Sequence, residues 1–157
     1  MKSLIALYDR LVAIFSGRFA EAISLLFARV ALAGIFWRSA RTKVEDGSWL
    51  QMRELTVDLF RDEYGMPFPE ITGQIATYAE HFFPILLVLG LATRFGATGL
   101  LVMTLVIQFF VYPEAWWSVH IIWVALALTL IIRGGGLFSL DHLLAGKRTA
   151  LTTGIAG

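Results

Sequence analysis

The chain has 157 residues, of which 57% are hydrophobic and 16% are charged. Soluble domains carry about 25% charged residues, so this composition is typical of an integral membrane protein and, at this length, of a single domain. The net charge of +1 and the absence of a basic cluster argue against a nucleic-acid partner. The chain contains no cysteine, which excludes disulfides, thiol redox chemistry, iron–sulfur ligation and covalent c-type haem.

The first predicted element is an amphipathic helix over residues 3–16. Its apolar residues recur at helical spacing on one face, which favours a helix lying in the membrane interface. A cleaved signal peptide is not expected, because Asp9 and Arg10 interrupt the apolar run. The apolar face consists of Leu4, Tyr8, Leu11, Val12 and Phe15.

A first membrane-spanning helix is predicted over residues 19–37, with Arg29 near its middle and Trp37 as an aromatic anchor at the interface. Residues 38–70 form the main polar segment, and we interpret them as a cap outside the membrane. The cap contains a short amphipathic helix over residues 50–60. It is ended by Gly65, Pro67 and Pro69.

Three further spans are predicted over residues 71–91, 95–112 and 115–132. In the second span, an inward-facing polar stripe is expected, and Pro84 predicts a kink just beyond it. The stripe consists of Gln74, Thr77, Tyr78 and His81, with Glu80 at its edge.

After the last span, Ser139 is expected to cap a short surface helix over residues 140–145, and residues 147–157 are expected to form a flexible tail. The predicted fold is therefore all-α: a polytopic four-transmembrane-helix bundle with an N-terminal interfacial helix. One membrane domain covers residues 1–146.

The distribution of basic residues predicts the orientation. With four crossings, most basic residues outside the cap fall on one side of the membrane, whereas the long cap is net acidic. The positive-inside rule then places both termini in the cytoplasm and the cap outside. The basic residues on the cytoplasmic side are Lys2, Arg10, Arg18, Arg94, Arg133, Lys147 and Arg148.

Ionisable residues within apolar runs are the candidates for function. A charge at bilayer depth costs several kcal/mol, so it usually has a partner or a task. Because Arg29 and Glu80 both fall near the middle of their spans, we expect an ion pair between them, serving either structure or chemistry. We assign Glu80 and His81 as candidate catalytic residues. The candidate cofactor-binding residues, most of them near the outer surface, are Arg29, Gln108, Tyr112, Trp116 and His120.

The polar groups leave three functional interpretations open. In the first, the outer pocket binds a quinone head group: His81 or His120 donates a hydrogen bond to a quinone oxygen and Glu80 relays a proton. In the second, the two imidazoles bind a metal or a b-type haem axially. In the third, the bundle is a non-catalytic accessory or a transporter-like protein, for example in the handling of metals or of a metal-binding peptide.

The order and spacing of several short motifs resemble the DoxX family of small bacterial inner-membrane proteins, across most of residues 25 to 145. The shared residues lie in the first span, at Glu80, and at the ends of the second and fourth spans. His81, His120 and the loop over residues 60–69 lie outside the shared pattern and indicate a subgroup. The shared positions are Arg29, Gly34, Phe36, Lys43, Glu80, residues 89–94, residues 133–136 and residues 139–141; the polar ones are Arg29, Lys43, Glu80, Arg94, Ser139 and Asp141.

The resemblance implies a four-helix fold in the bacterial inner membrane. It also implies similarity to the small subunit of thiosulfate:quinone oxidoreductases, to membrane complexes for oxidant resistance and to proteins that accompany the biosynthesis of copper-binding secreted peptides. We therefore expect a membrane subunit of a redox system that binds quinone. Besides the lipid bilayer, its expected partners are a redox or biosynthetic protein and further copies of itself in a homo-oligomer.

Overall fold

The computed structural model describes residues 2–146, and these residues are predominantly helical. Helix α1 covers Lys2–Phe15, and α2 covers Arg18–Lys43. Helix α3, Glu54–Asp58, continues into a π-helical turn over Leu59–Glu63. The prediction of a flexible tail over residues 147–157 lies outside the described residues.

The second half of the chain contributes the remaining helices. Helix α4 covers Pro69–Leu89 and α5 covers Thr93–Val106, extended by a π-helical turn over Ile107–Val111. After turns over Pro113–Ala115 and Trp116–His120, α6 covers Ile121–Arg133. Residues 140–146 form the short helix α7, and the Ser139 hydroxyl accepts a hydrogen bond from the His142 amide, as the predicted cap requires.

The long helices pack in a closed ring, in which α2 contacts α4 and α6, and α5 contacts the same two helices. Small residues at the contacts let the helix backbones approach closely, as is usual where lipid replaces water outside the bundle. The core between the helices is apolar and includes Leu32, Phe36, Leu87, Leu100 and Leu130, all fully buried.

Three helical segments are long and apolar enough to cross a membrane: Arg18–Lys43, Thr93–Val111 and Pro113–Arg133. Helix α4 is 21 residues long, but Gln74, Glu80 and His81 make it more polar than these three. The prediction of a membrane protein is therefore supported, whereas the fourth crossing stays a prediction.

Helix α2 is longer than predicted, because it continues six residues past Trp37 to Lys43. Its last turns bury Ala40 and Lys43 beneath the cap, so these residues belong to the bundle and not to a loop. The remainder of the cap is anchored by an isolated antiparallel β-bridge between Val44 and Met52. A hydrogen bond of 2.9 Å from the Thr56 hydroxyl to the Lys43 carbonyl also holds it.

The buried face of α4 also differs from the predicted stripe. Thr77 and His81 are buried as expected, but Tyr78 is 47% exposed and Glu80 lies fully inside the bundle. Glu80 is drawn inward because its partners, on α2, lie there. Pro84 lies within the continuous helix Pro69–Leu89.

Helix α1 presents many of its apolar side chains at the surface, including Leu4, Tyr8, Ile14 and Phe15. Such a helix is suited to the membrane interface. Its location there stays a prediction.

Candidate functional site

A buried ion pair joins α2 to α4. The Lys43 ammonium lies 2.7 Å from Glu80 Oε2, and both side chains are at least nine-tenths buried. Lys43 Nζ also donates to Ser39 Oγ at 2.7 Å, and Ser39 Oγ lies 3.3 Å from Glu80 Oε1. The three side chains therefore form one closed polar cluster, in which each charge has a partner.

The predicted ion pair between Arg29 and Glu80 is wrong. The Arg29 guanidinium instead donates to the carbonyls of Leu87 at 3.1 Å, Val88 at 3.3 Å and Phe138. Glu80 lies seven residues before Leu87, or about 10 Å along the helix. Because α2 runs on to Lys43, a lysine near its end reaches the carboxylate, and Arg29 meets the carbonyl end of α4.

Arg29 lies where four segments of the chain meet: α2, the end of α4, the start of α5 and residues 138–141. We call this meeting point the joint. The carbonyl groups at the end of α4 are the negative end of the helix dipole, so they attract a guanidinium. Gly90 has a φ of +66°, and a Cβ there would lie 2.2 Å from Arg29 Nη1. The Asp141 carboxylate accepts hydrogen bonds from the amides of Ala92 and Thr93 and thereby caps α5. These contacts give Arg29 a structural position, away from the cluster formed by Lys43, Glu80 and Ser39.

A cavity of about 380 Å³ lies beside the Lys43–Glu80 pair, and we call it the outer cavity. Its wall is predominantly apolar, and Ser39, Lys43 and Glu80 supply charged and polar groups. Residues of α4 and α5 form two sides, and the π-helical turn after α3 forms another. The apolar lining includes Phe60, Ile75, Ala79, Val102, Val106 and Trp123.

Two tyrosines from different elements also line the outer cavity. The rings of Tyr64 and Tyr112 meet edge to face at 5.9 Å, and Tyr112 donates a hydrogen bond to the Glu63 carboxylate. That hydrogen bond, followed by burial, raises the pKa of Tyr112 above its ordinary value. Burial is the main cause that raises the pKa of Tyr64. Both hydroxyls are therefore neutral near pH 7 and can act as donors.

His81 faces away from the outer cavity, toward two tryptophans. Its ring meets Trp37 edge to face at 5.2 Å and stacks on Trp49 at 6.3 Å. Nδ1 lies 2.8 Å from the Thr77 carbonyl, which can only accept, so Nδ1 carries the proton. Nε2 is buried without a hydrogen-bond partner among the described residues.

The other predicted residues divide between the cavity and its surroundings. Tyr112 lines it, whereas Gln108 and His120 bind each other, with 2.7 Å between Oε1 and Nδ1. Gln108 also donates to the Pro113 carbonyl at 2.8 Å, so this pair stabilises the turn between α5 and α6. Trp116 is half-buried and is not part of the cavity wall.

His81 and His120 make separate sets of contacts, the first with Trp37 and Trp49 and the second with Gln108 and Trp123. Within residues 2–146, no group of three or more histidine, aspartate or glutamate side chains could hold a metal ion. Axial ligation of a haem or metal by the two histidines stays a prediction.

The sequence interpretation missed Ser39, Tyr64 and the role of Lys43 as the partner of Glu80. All three fall within residues 38–70, which the sequence predicts to be a cap outside the membrane, where charged and polar residues are usually solvated. Two signals pointed to Lys43: it belongs to the shared family pattern, and it lies at i+4 from Ser39, so a continued helix would place both on one face.

Comparison with known proteins agrees with the resemblance in the sequence. The DoxX family model matches residues 24–113. An uncharacterized protein of Haemophilus influenzae is 29% identical over 133 residues, covering 78% of this chain and 83% of that protein. No solved structure matches. Because the matched residues make up more than half of the chain, this membrane protein belongs to the DoxX family.

Proposed function

We propose that this chain is the membrane subunit of a redox system and that the outer cavity binds a quinone head group. The observation that carries the proposal is a largely apolar cavity with a buried Lys43–Glu80–Ser39 cluster in its wall. Ligand pockets are typically apolar with a few well-placed polar groups, and a volume of about 380 Å³ falls within their usual range.

Access from the lipid supports this choice of ligand. Ile75 of α4 and Val102 of α5 line the cavity and are also largely exposed on the outside of the bundle. The cavity therefore reaches the surface between these two helices. A quinone dissolved in the membrane could enter there while its isoprenoid chain stays in lipid.

The chain offers donors and acceptors suited to such a head group. A bound quinone takes up two electrons and two protons when it is reduced. The Glu80 carboxylate can accept and release a proton, and the nearby Lys43 ammonium stabilises its ionised form. The neutral hydroxyl of Tyr64 lines the same cavity and can donate a hydrogen bond to a carbonyl oxygen.

A redox partner protein would supply the electrons, since the chain has no cysteine for thiol chemistry or iron–sulfur ligation. We further propose that α4 is a fourth crossing, that the membrane is the bacterial inner membrane and that both termini are cytoplasmic. The packing of α4 between α2 and α5 supports the fourth crossing, because each neighbour is long and apolar enough to span.

The test begins with the full chain purified in mild detergent. Co-extracted quinone is identified by mass spectrometry, and a short-chain quinone is titrated while tryptophan fluorescence is recorded, because Trp123 lines the cavity. We expect saturable quenching in the wild type. An absorption spectrum of the same preparation tests haem ligation by His81 and His120.

Two variants make the result specific to the outer cavity. Val102→Phe places a larger ring in the cavity wall and should abolish saturable quenching. Ile122→Phe is the control, because Ile122 and Val102 are equally exposed, at 56%, but Ile122 lies outside the cavity wall. A colourless preparation that contains no quinone and does not respond to added quinone would refute the proposal and favour the accessory role.

A further inference from the structure

A second cavity lies at the opposite end of the bundle, and we propose that it binds the phosphate group of an anionic phospholipid. We call it the basal cavity; its volume is about 610 Å³. It is formed where α2 and α5 begin and where α6 ends. The lining includes Arg18, Arg94, Arg133 and the glycines at positions 134, 135 and 136.

The arginines bring more positive charge to the basal cavity than their partners neutralise. The Arg18 side chain forms no hydrogen bond or ion pair with the described residues. Arg94 donates from Nε to the Ile131 carbonyl at 3.0 Å and from Nη2 to the Ile132 carbonyl at 3.3 Å, which are backbone groups without charge. Only Arg133 pairs with a carboxylate, that of Glu21.

The other acidic residue in the wall of the basal cavity is already engaged. Both Asp141 oxygens accept backbone amides at the start of α5, Oδ1 from Ala92 at 2.7 Å and Oδ2 from Thr93 at 2.8 Å. The Thr93 hydroxyl is buried in this wall and has no hydrogen-bond partner among the described residues. The guanidinium groups of Arg18 and Arg94 therefore remain able to bind an anion.

The surroundings favour a lipid as the source of the phosphate. The cavity lies at the ends of the three helical segments that are long and apolar enough to cross a membrane, Arg18–Lys43, Thr93–Val111 and Pro113–Arg133, which is the level at which lipid head groups lie. Beside it, the exposed rings of Phe19 and Phe138 meet edge to face at 5.7 Å. Basic pockets bordered by apolar surface at this depth are suited to a charged head group with attached acyl chains.

The experiment uses the delipidated full chain in detergent and measures binding of phosphatidylglycerol by native mass spectrometry. Phosphatidylcholine is the zwitterionic comparison, and inorganic phosphate is the soluble competitor. We expect phosphatidylglycerol to bind more tightly than phosphatidylcholine. Arg18→Gln should weaken its binding about fivefold, the factor that corresponds to roughly 1 kcal/mol per basic residue.

Arg38→Gln is the matched control, because Arg38 is an exposed arginine on the same helix but at the other end. It should leave binding unchanged. Equal weakening in both variants would indicate diffuse attraction and overturn the proposal, as would unchanged binding in Arg18→Gln. Displacement of phosphatidylglycerol by equimolar inorganic phosphate would make soluble phosphate the ligand and overturn the assignment to a lipid. Circular dichroism confirms that each variant is folded.

Discussion

Replacing Glu80 by glutamine should destabilise the bundle strongly, because it removes the negative charge next to a buried ammonium. Glutamine keeps the size of the side chain and can still bind Ser39, so the main loss is the charge interaction over 2.7 Å with Lys43. Both side chains are buried, with 3% and 8% exposure, so water can replace the lost partner only in part.

Breaking a buried ion pair from one side costs about 3–5 kcal/mol, whereas replacing both partners by apolar residues is often close to neutral. We therefore expect Glu80→Gln to lower the free energy of unfolding by about 3 kcal/mol. Lys43→Met should cost a similar amount, and the double variant Lys43→Met/Glu80→Gln should lose clearly less than the sum of the two, because no buried charge is then left without its partner. Titration with denaturing detergent, followed by circular dichroism, measures each value.

The other buried cation provides the control. Arg29 contacts backbone carbonyls and not Glu80, so Arg29→Met should not rescue Glu80→Gln, and the two losses should add. If the losses of Lys43→Met and Glu80→Gln were additive instead, the ion pair would contribute nothing to stability. Rescue by Arg29→Met would instead indicate that Arg29 is the partner of Glu80.

Three further predictions concern single residues. Gly90→Ala should cost about 3 kcal/mol, from left-handed strain and a contact with Arg29, whereas Gly65→Ala, with φ +59° in open space, should cost only about 1 kcal/mol in the same titration. Equal losses of stability in the two glycine variants would contradict the close contact between position 90 and Arg29. Asp141→Ala should cost about 1–2 kcal/mol through the lost cap of α5, and an unchanged unfolding midpoint would contradict the capping role. Tyr112 has a raised pKa in the folded protein, so its stabilising effect is present below pH 10 and is lost as the pH rises further. Tyr112→Phe should therefore lose less stability above pH 10 than the wild type; equal losses would refute this.

The helices were predictable because apolar run length and helix-ending residues act locally. Helix α4 begins at Pro69 and ends just before Gly90, and the sequence also indicates the cap at Ser139. The end of α2 was not predictable in this way, because residues 38–43 are mostly polar and only their burial beneath the cap keeps them in the bundle.

The candidate site was predicted in part. Glu80 and Tyr112 line the outer cavity, but His81 faces Trp37 and Trp49, His120 binds Gln108, and Arg29 belongs to the joint at the other end. Counting residues from predicted helix ends gives depth with an error of several residues. Arg29 lies level with Leu87 and not with Glu80, a difference of seven residues or about 10 Å along α4, which is enough to exchange one cation for another.

The sequence by itself determined that the chain is helical and suited to a membrane, and that its buried charges need partners, because these properties depend on composition and local spacing. Only the tertiary structure decided that Lys43 is the partner of Glu80, that Arg29 binds the end of α4, and that two cavities lie at opposite ends. Those outcomes depend on the register between helices, which is set by packing between residues far apart in the chain.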